Sequence, residues 1–193
     1  YAHAQVTLMV SRLEQRLLEA TSTAGDWRPA LFGNPRTLLQ PLEATGAALY
    51  YEHELQTAGD TPSAPELRAL VEWLNGRGER APYATSSIER ENRALASLTP
   101  LAAGVLAVRL SSARPDYLLW FRKEQLCRIT WAGEPVKPSA QDDPLELSPR
   151  RSFAAWTEIV RGTAVSWTPS EVSLARAIGS TLIDIIVQIH AVR

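Results

Sequence analysis

The groups in this sequence that could act on a partner lie around one long polar segment. Arg150 and Ser152 place a guanidinium fork and a hydroxyl two residues apart, flanked by the large apolar side chains of Trp131 and Phe153. Arginine can grip a carboxylate bidentately and serine offers a weaker, neutral bond, so the set suits docking onto a surface that carries a carboxylate. Trp131 and Phe153 are costly to leave in water. Between Trp131 and Pro149 lie 17 residues rich in proline and mixed charge. Loops of that length without structure of their own are uncommon in compact domains, although composition alone also allows a plain surface loop.

Catalytic chemistry has little to stand on. The three histidines, His3, His53 and His190, fall on separate elements, without the i, i+4 or Cys–His spacing of a metal site. His190, on an amphipathic pattern, reads as a surface or interface residue. Gly76-Arg77-Gly78 follows a helical pattern and lacks the Lys-Ser/Thr of a phosphate loop, so it reads as a helix stop at Gly76. Cys127 sits in a strand pattern as a small buried hydrophobe. Asp142-Asp143 has nothing nearby to desolvate it for acid–base work. The expectation is a chain with no enzymatic role.

Totals bound the class. A chain of 193 residues with 45% hydrophobic and 21% charged residues is ordinary globular composition, sized for one domain. The net charge of −1 argues against a nucleic-acid partner. A single cysteine permits no internal disulfide, which fits a reducing, cytoplasmic setting. The segment read as most apolar, Leu98 to Leu110, carries Arg109 and is too short for a membrane span, so no membrane is expected. Because the chain begins Tyr-Ala-His, it reads as a piece of something larger.

The elements that must position these residues are mostly legible. Val6, Val10, Leu13 and Leu17 predict a helix over 1–21, for core packing or pairing with its own copy. Residues 46–59 predict two strands around a Glu52-His53 turn, which lacks the usual Asn-Gly signal. Ser63 and Glu66 stand at capping-box spacing before a helix whose apolar face is Leu67, Leu70, Val71 and Leu74. Residues 88–98 add further helical turns. Three apolar runs, AAGVLAVRL, YLLWFR and LCRITW, read as an antiparallel meander. Residues 152–160 carry both helical period and tolerable strand character. Thr168, Pro169 and Glu171 then open a final helix over 168–193 with Leu174, Ile178, Leu182, Ile185, Ile189 and Val192 at helical spacing. The fold class is α+β: an antiparallel sheet flanked by helices, with long helices at both ends.

Several of these residues also form a pattern. Trp131-Ala132-Gly133, Pro149-Arg150-Arg151-Ser152-Phe153 and Trp156-Thr157-Glu158 resemble the W-G/A-G, P-R-x-S-F and W-x-E motifs of the phytochrome-specific (PHY) domain. Leu119-Trp120-Phe121-Arg122 with Glu124 resembles its W-F-R-P-E strand end, with Lys123 in place of the usual proline. Gly59-Asp60-Thr61-Pro62, ahead of Trp73-Leu74, resembles its G-x-T-P. The resemblance spans the chain. It implies a single GAF-like domain over 1–193, with a connecting helix, a protruding hairpin "tongue" at about 131–153 and an output helix. The tongue would cover the bilin (biliverdin) pocket of an adjacent GAF domain and refold from hairpin towards helix on photoconversion. Arg150 would pair with a GAF aspartate in one state and Ser152 in the other, and Trp131, Gly133, Pro149, Phe153, Trp156 and Glu158 complete the motifs. The parent would be a homodimeric bacterial photoreceptor, with an output module such as a histidine kinase. The fragment itself would bind no cofactor, metal, nucleic acid or membrane. A stand-alone GAF-type sensor of a small molecule is the alternative.

Overall fold

The computed structural model describes residues 2–79, 82–125 and 149–192. Helix α1 (Ala2–Ala24) ends at Gly25, and two short helices, α2 (Arg28–Leu31) and α3 (Pro35–Leu39), lead into strands β1 (Gly46–Tyr51) and β2 (Glu54–Gly59). Glu52 and His53 make the two-residue turn, both at positive φ (52° and 66°), which matches the twist of a tight hairpin even without glycine or asparagine. Helix α4 (Ala64–Arg77) starts with the expected box: Glu66 N–H donates to Ser63 Oγ, and Ser63 N–H to Glu66 Oε1. It runs through Gly76 and stops one turn-residue later, at left-handed Gly78. The predicted stop at Gly76 is thus corrected, because an interior glycine costs only about 1 kcal/mol, whereas the position after the last turn needs φ > 0.

A short strand β3 (Tyr83–Thr85), α5 (Ile88–Glu91), a 3-10 stretch (Arg93–Leu98) and α6 (Thr99–Ala102) precede β4 (Gly104–Arg109) and β5 (Tyr117–Arg122). Then follow α7 (Pro149–Val160) and α8 (Pro169–Val192). The third apolar run, LCRITW, lies outside the described residues, as do Cys127, Asp142 and Asp143. Strand β3, which sequence reasoning missed, is one of the two edges of the described sheet; only three residues long, it offers no alternation to detect.

The strands form one antiparallel sheet in the order β2-β1-β5-β4-β3. Period-two alternation sends its side chains to two cores. Ala47, Leu49, Leu106, Val108, Leu118 and Trp120 face the terminal helices, where Leu13, Leu17, Leu174, Ile178, Leu182 and Ile185 are buried. Ala48, Val105, Ala107, Leu119 and Phe121 face α4 with Leu67, Leu70, Val71 and Leu74. Trp120 is fully buried and satisfied, its indole N–H donating to the Leu38 carbonyl at 3.2 Å. On the α4 face the space enclosed by Leu74, Arg77, Tyr83, Ala107, Arg109 and Tyr117 is about 10 Å³, the size of a single water site.

Helix α8 lies directly on β4. A Cβ built on Gly179 would come within 2.3 Å of Val108 Cγ1, so glycine is what permits the approach. By length and composition α8 would suffice to cross a membrane, which corrects the expectation that no segment would; its apolar width here is spent partly on the sheet.

Candidate functional site

The chain leaves the sheet at the end of β5 and returns to it just before α8, so the two ends of the intervening segment meet there. Four consecutive residues, Arg122 to Gln125, hold this root together. The Gln125 backbone N–H donates to the Thr163 carbonyl at 2.8 Å, and its side-chain amide reaches Thr163 Oγ1 at 3.0 Å. Glu124 Oε2 accepts the Gly162 N–H at 2.6 Å. Gly162 itself sits at φ 73°, and a Cβ there would strike the Glu89 carboxylate. Lys123, buried where the family pattern has proline, places its ammonium 2.7 Å from Asp60 of the Gly59–Pro62 stretch. Two of the quoted motifs therefore touch.

Arg122 is the centre of the root. It is 3% exposed, pairs across the sheet with Gly104, and uses all five guanidinium N–H groups. Nε donates to the Glu43 carbonyl (3.3 Å). Nη1 donates to the carbonyls of Val165 (3.1 Å) and Ser166 (2.9 Å). Nη2 donates to the Leu42 carbonyl (2.7 Å) and to Glu171 Oε2 (2.5 Å). Its plane also lies over Trp167, 3.9 Å from the ring centroid, and the Trp167 indole N–H donates to the Thr85 carbonyl at 3.1 Å. Gly104 makes room, since a Cβ there would press on Ala164 at 2.9 Å.

Glu171 serves two partners. Its other oxygen, Oε1, accepts the Thr168 N–H at 2.7 Å, while Thr168 Oγ1 accepts the Glu171 N–H at 3.1 Å. This is the capping box anticipated for the final helix. One carboxylate thus closes the first turn of α8 and neutralises the arginine that ends β5.

Of the site residues named from sequence, those from Pro149 onward are described and lie on α7. Trp131 and Gly133 lie outside the described residues. Pro149 and Arg150 open α7, described in backbone only, so Pro149–Phe153, the described part of the segment 131–153, is helix. Helix rather than strand follows from Phe153, Trp156 and Val160 recurring on one face. Phe153 and Trp156 rings are 5.9 Å apart, Val160 is buried, and Phe153 (44%) and Ile159 (71%) remain exposed. Ser152 is exposed, and Glu158 pairs loosely with Arg161 at 3.8 Å on the surface. Arg90 Nη2 donates to the Ile159 and Arg161 carbonyls (3.3 and 3.2 Å), tying the end of α7 to the domain. Sequence reasoning quoted Arg122 only as part of a motif and gave it no role. A charged residue closing an otherwise apolar strand was the signal available.

A five-stranded antiparallel sheet between helical layers, with a helix-bearing excursion rooted beside its terminal helix, defines the class as an α+β domain of GAF-like architecture. The family model described as "Phytochrome region" (PHY) matches residues 10–191, and the chain belongs to that family. The phytochrome-like protein Cph1 of Synechocystis is 32% identical over 178 residues, covering 91% of this chain and 24% of that protein. A bacteriophytochrome of Xanthomonas campestris is 33% identical over 149 residues, covering 73% of this chain and 24% of that protein. The chain thus spans about a quarter of the length of these relatives. The crystal structure of the bacteriophytochrome RpBphP3 from R. palustris shares the fold, with a TM-score of 0.67 at 20% identity, over 96% of this chain and 37% of that one.

Proposed function

We propose that this chain is the signal-relay domain of a red/far-red bilin photoreceptor. Residues 131–153 form the tongue over the chromophore pocket of an adjacent GAF domain, and the tongue's refolding on photoconversion passes through α8 to an output module, such as a histidine kinase. Arg150 takes a GAF aspartate in one state and Ser152 replaces it in the other. Trp131, Gly133, Phe153, Trp156 and Glu158 belong to the surfaces that exchange, and the parent is a cytoplasmic homodimer. Biliverdin, held by the neighbouring domain, supplies the absorption of light. The water-sized space on the α4 face of this sheet is too small for a linear tetrapyrrole.

The observation that carries the proposal is α7. It is a helix rooted in the domain yet exposing Phe153 and Ile159, in a sequence that also tolerates strand. Two conformations of comparable free energy are what a switch requires, and stranding a buried carboxylate by loss of its arginine shifts such a balance by about 3–5 kcal/mol. The test is hydrogen exchange over residues 149–161 in the intact photosensory protein, in darkness and under red light. A light-dependent change that Arg150→Ala abolishes is the expected result. Unchanged exchange in a protein with a working photocycle would reduce the tongue to a lid.

A further inference from the structure

We infer that Arg122 and Glu171 form the coupling joint of this domain: the arginine reads the position of the tongue root and sets, through Glu171, whether the first turn of α8 is closed. This rests on the relay reading above and names the contact through which that relay enters the helix.

The geometry gives the reason. Arg122 is the last residue of β5, and two of the next three residues, Glu124 and Gln125, carry the bonds that hold the returning arm at Gly162 and Thr163. A tongue that changes length or pitch pulls first on this short stretch. Arg122 cannot follow without loss, because each of its five donors is committed and its face is stacked on Trp167. Four of the five acceptors are backbone carbonyls fixed in the domain. The fifth, Glu171, is the one acceptor that is a side chain and the one that belongs to α8. Its second oxygen caps the helix through Thr168. A shift of the guanidinium therefore draws on the same carboxylate that satisfies an orphan N–H of the first turn, and that turn closes or frays accordingly. A buried joint of this kind has discrete arrangements rather than a continuous range, as a switch needs.

Arg122 and Glu171 are positioning residues in this account, and a purely structural staple would look the same at rest. The distinguishing measurement is the light-minus-dark difference in hydrogen exchange, taken in the intact, chromophore-loaded photoreceptor that carries this chain. It is followed separately at amides 152–161 and at amides 171–175, in the wild type, Glu171→Gln and Thr168→Ala. Glutamine keeps an acceptor for the Thr168 N–H but removes the charge that holds Arg122. In the wild type both segments are expected to respond to light. In Glu171→Gln the response at 152–161 is retained, while that at 171–175 falls by at least about fivefold, a coupling loss of ordinary allosteric size. Thr168→Ala, which weakens the cap without touching Arg122, is expected to raise exchange at 171–175 in both states and leave the light difference in place. Equal responses at 171–175 in Glu171→Gln and the wild type would overturn the joint while leaving the relay standing. No response at 152–161 in the wild type would overturn the relay itself, and the joint with it. Both variants keep Arg122, and the test does not depend on whether Arg122→Ala folds.

Discussion

Arg122→Met is the substitution whose cost is best fixed by the structure. Methionine keeps the unbranched stem and the burial but removes all five donors, leaving Glu171 and the carbonyls of Leu42, Glu43, Val165 and Ser166 without that partner. Breaking one side of a buried ion pair costs about 3–5 kcal/mol, mainly through the charge left behind. Glu171 softens this, because its side chain is 14% exposed and keeps the Thr168 N–H. The expected loss is therefore near the lower end, about 3 kcal/mol, out of the roughly 5–15 typical of a domain. Urea unfolding of the chain, followed by tryptophan fluorescence, measures it. Glu171→Gln alone should cost about 2–3 kcal/mol, because it leaves the buried Arg122 charge held only by carbonyls and the Trp167 ring. The double variant should be more stable than the sum of the two losses predicts, by at least about 1 kcal/mol, since the two share one interaction. A loss below about 1 kcal/mol for Arg122→Met, or additivity within about 0.5 kcal/mol, would refute this account of the joint.

Other outcomes follow from single contacts. Gly179→Ala should lower the melting temperature through overpacking of about 1–3 kcal/mol against Val108, and adding Val108→Ala should recover part of that loss despite its own cavity. His53→Gly should stabilise the β1–β2 turn by up to about 1 kcal/mol in urea unfolding, because glycine carries no penalty at φ 66°. Hydrogen bonds from Ser97 and Ser63 hold the Glu66 carboxyl below its ordinary value of 4.5. Its contribution to stability is then present above pH 4.5 and lost as pH falls through the lower folded value, so Glu66→Gln should flatten the acid limb of a stability-against-pH curve below about pH 4.5.

Elements announced by local chemistry were legible in the sequence. The Ser63–Glu66 and Thr168–Glu171 boxes, the Glu52-His53 turn and the period of the final helix each appear in the structure where the residues indicate. What escaped depends on distance along the chain. Strand β3 exists because β4 offers it an edge, with Tyr83 paired to Ala107, and nothing within its three residues says so. Arg122 and Glu171 are 49 positions apart, so their pairing could not be read from spacing, although each residue was quoted for another reason. Lys123 departs from the family pattern, and only the fold reveals Asp60 as its counter-charge.

The contact of Gly179 with β4 gives the last helix a fulcrum. Ten residues of α8 precede that point and 13 follow it, arms of about 15 and 20 Å at 1.5 Å per residue. A rod pivoting there carries a sideways movement at Pro169 to Val192, reversed and enlarged by roughly a third. Whatever is joined to that end would feel a swing, and its size would be set by where a side chain is missing.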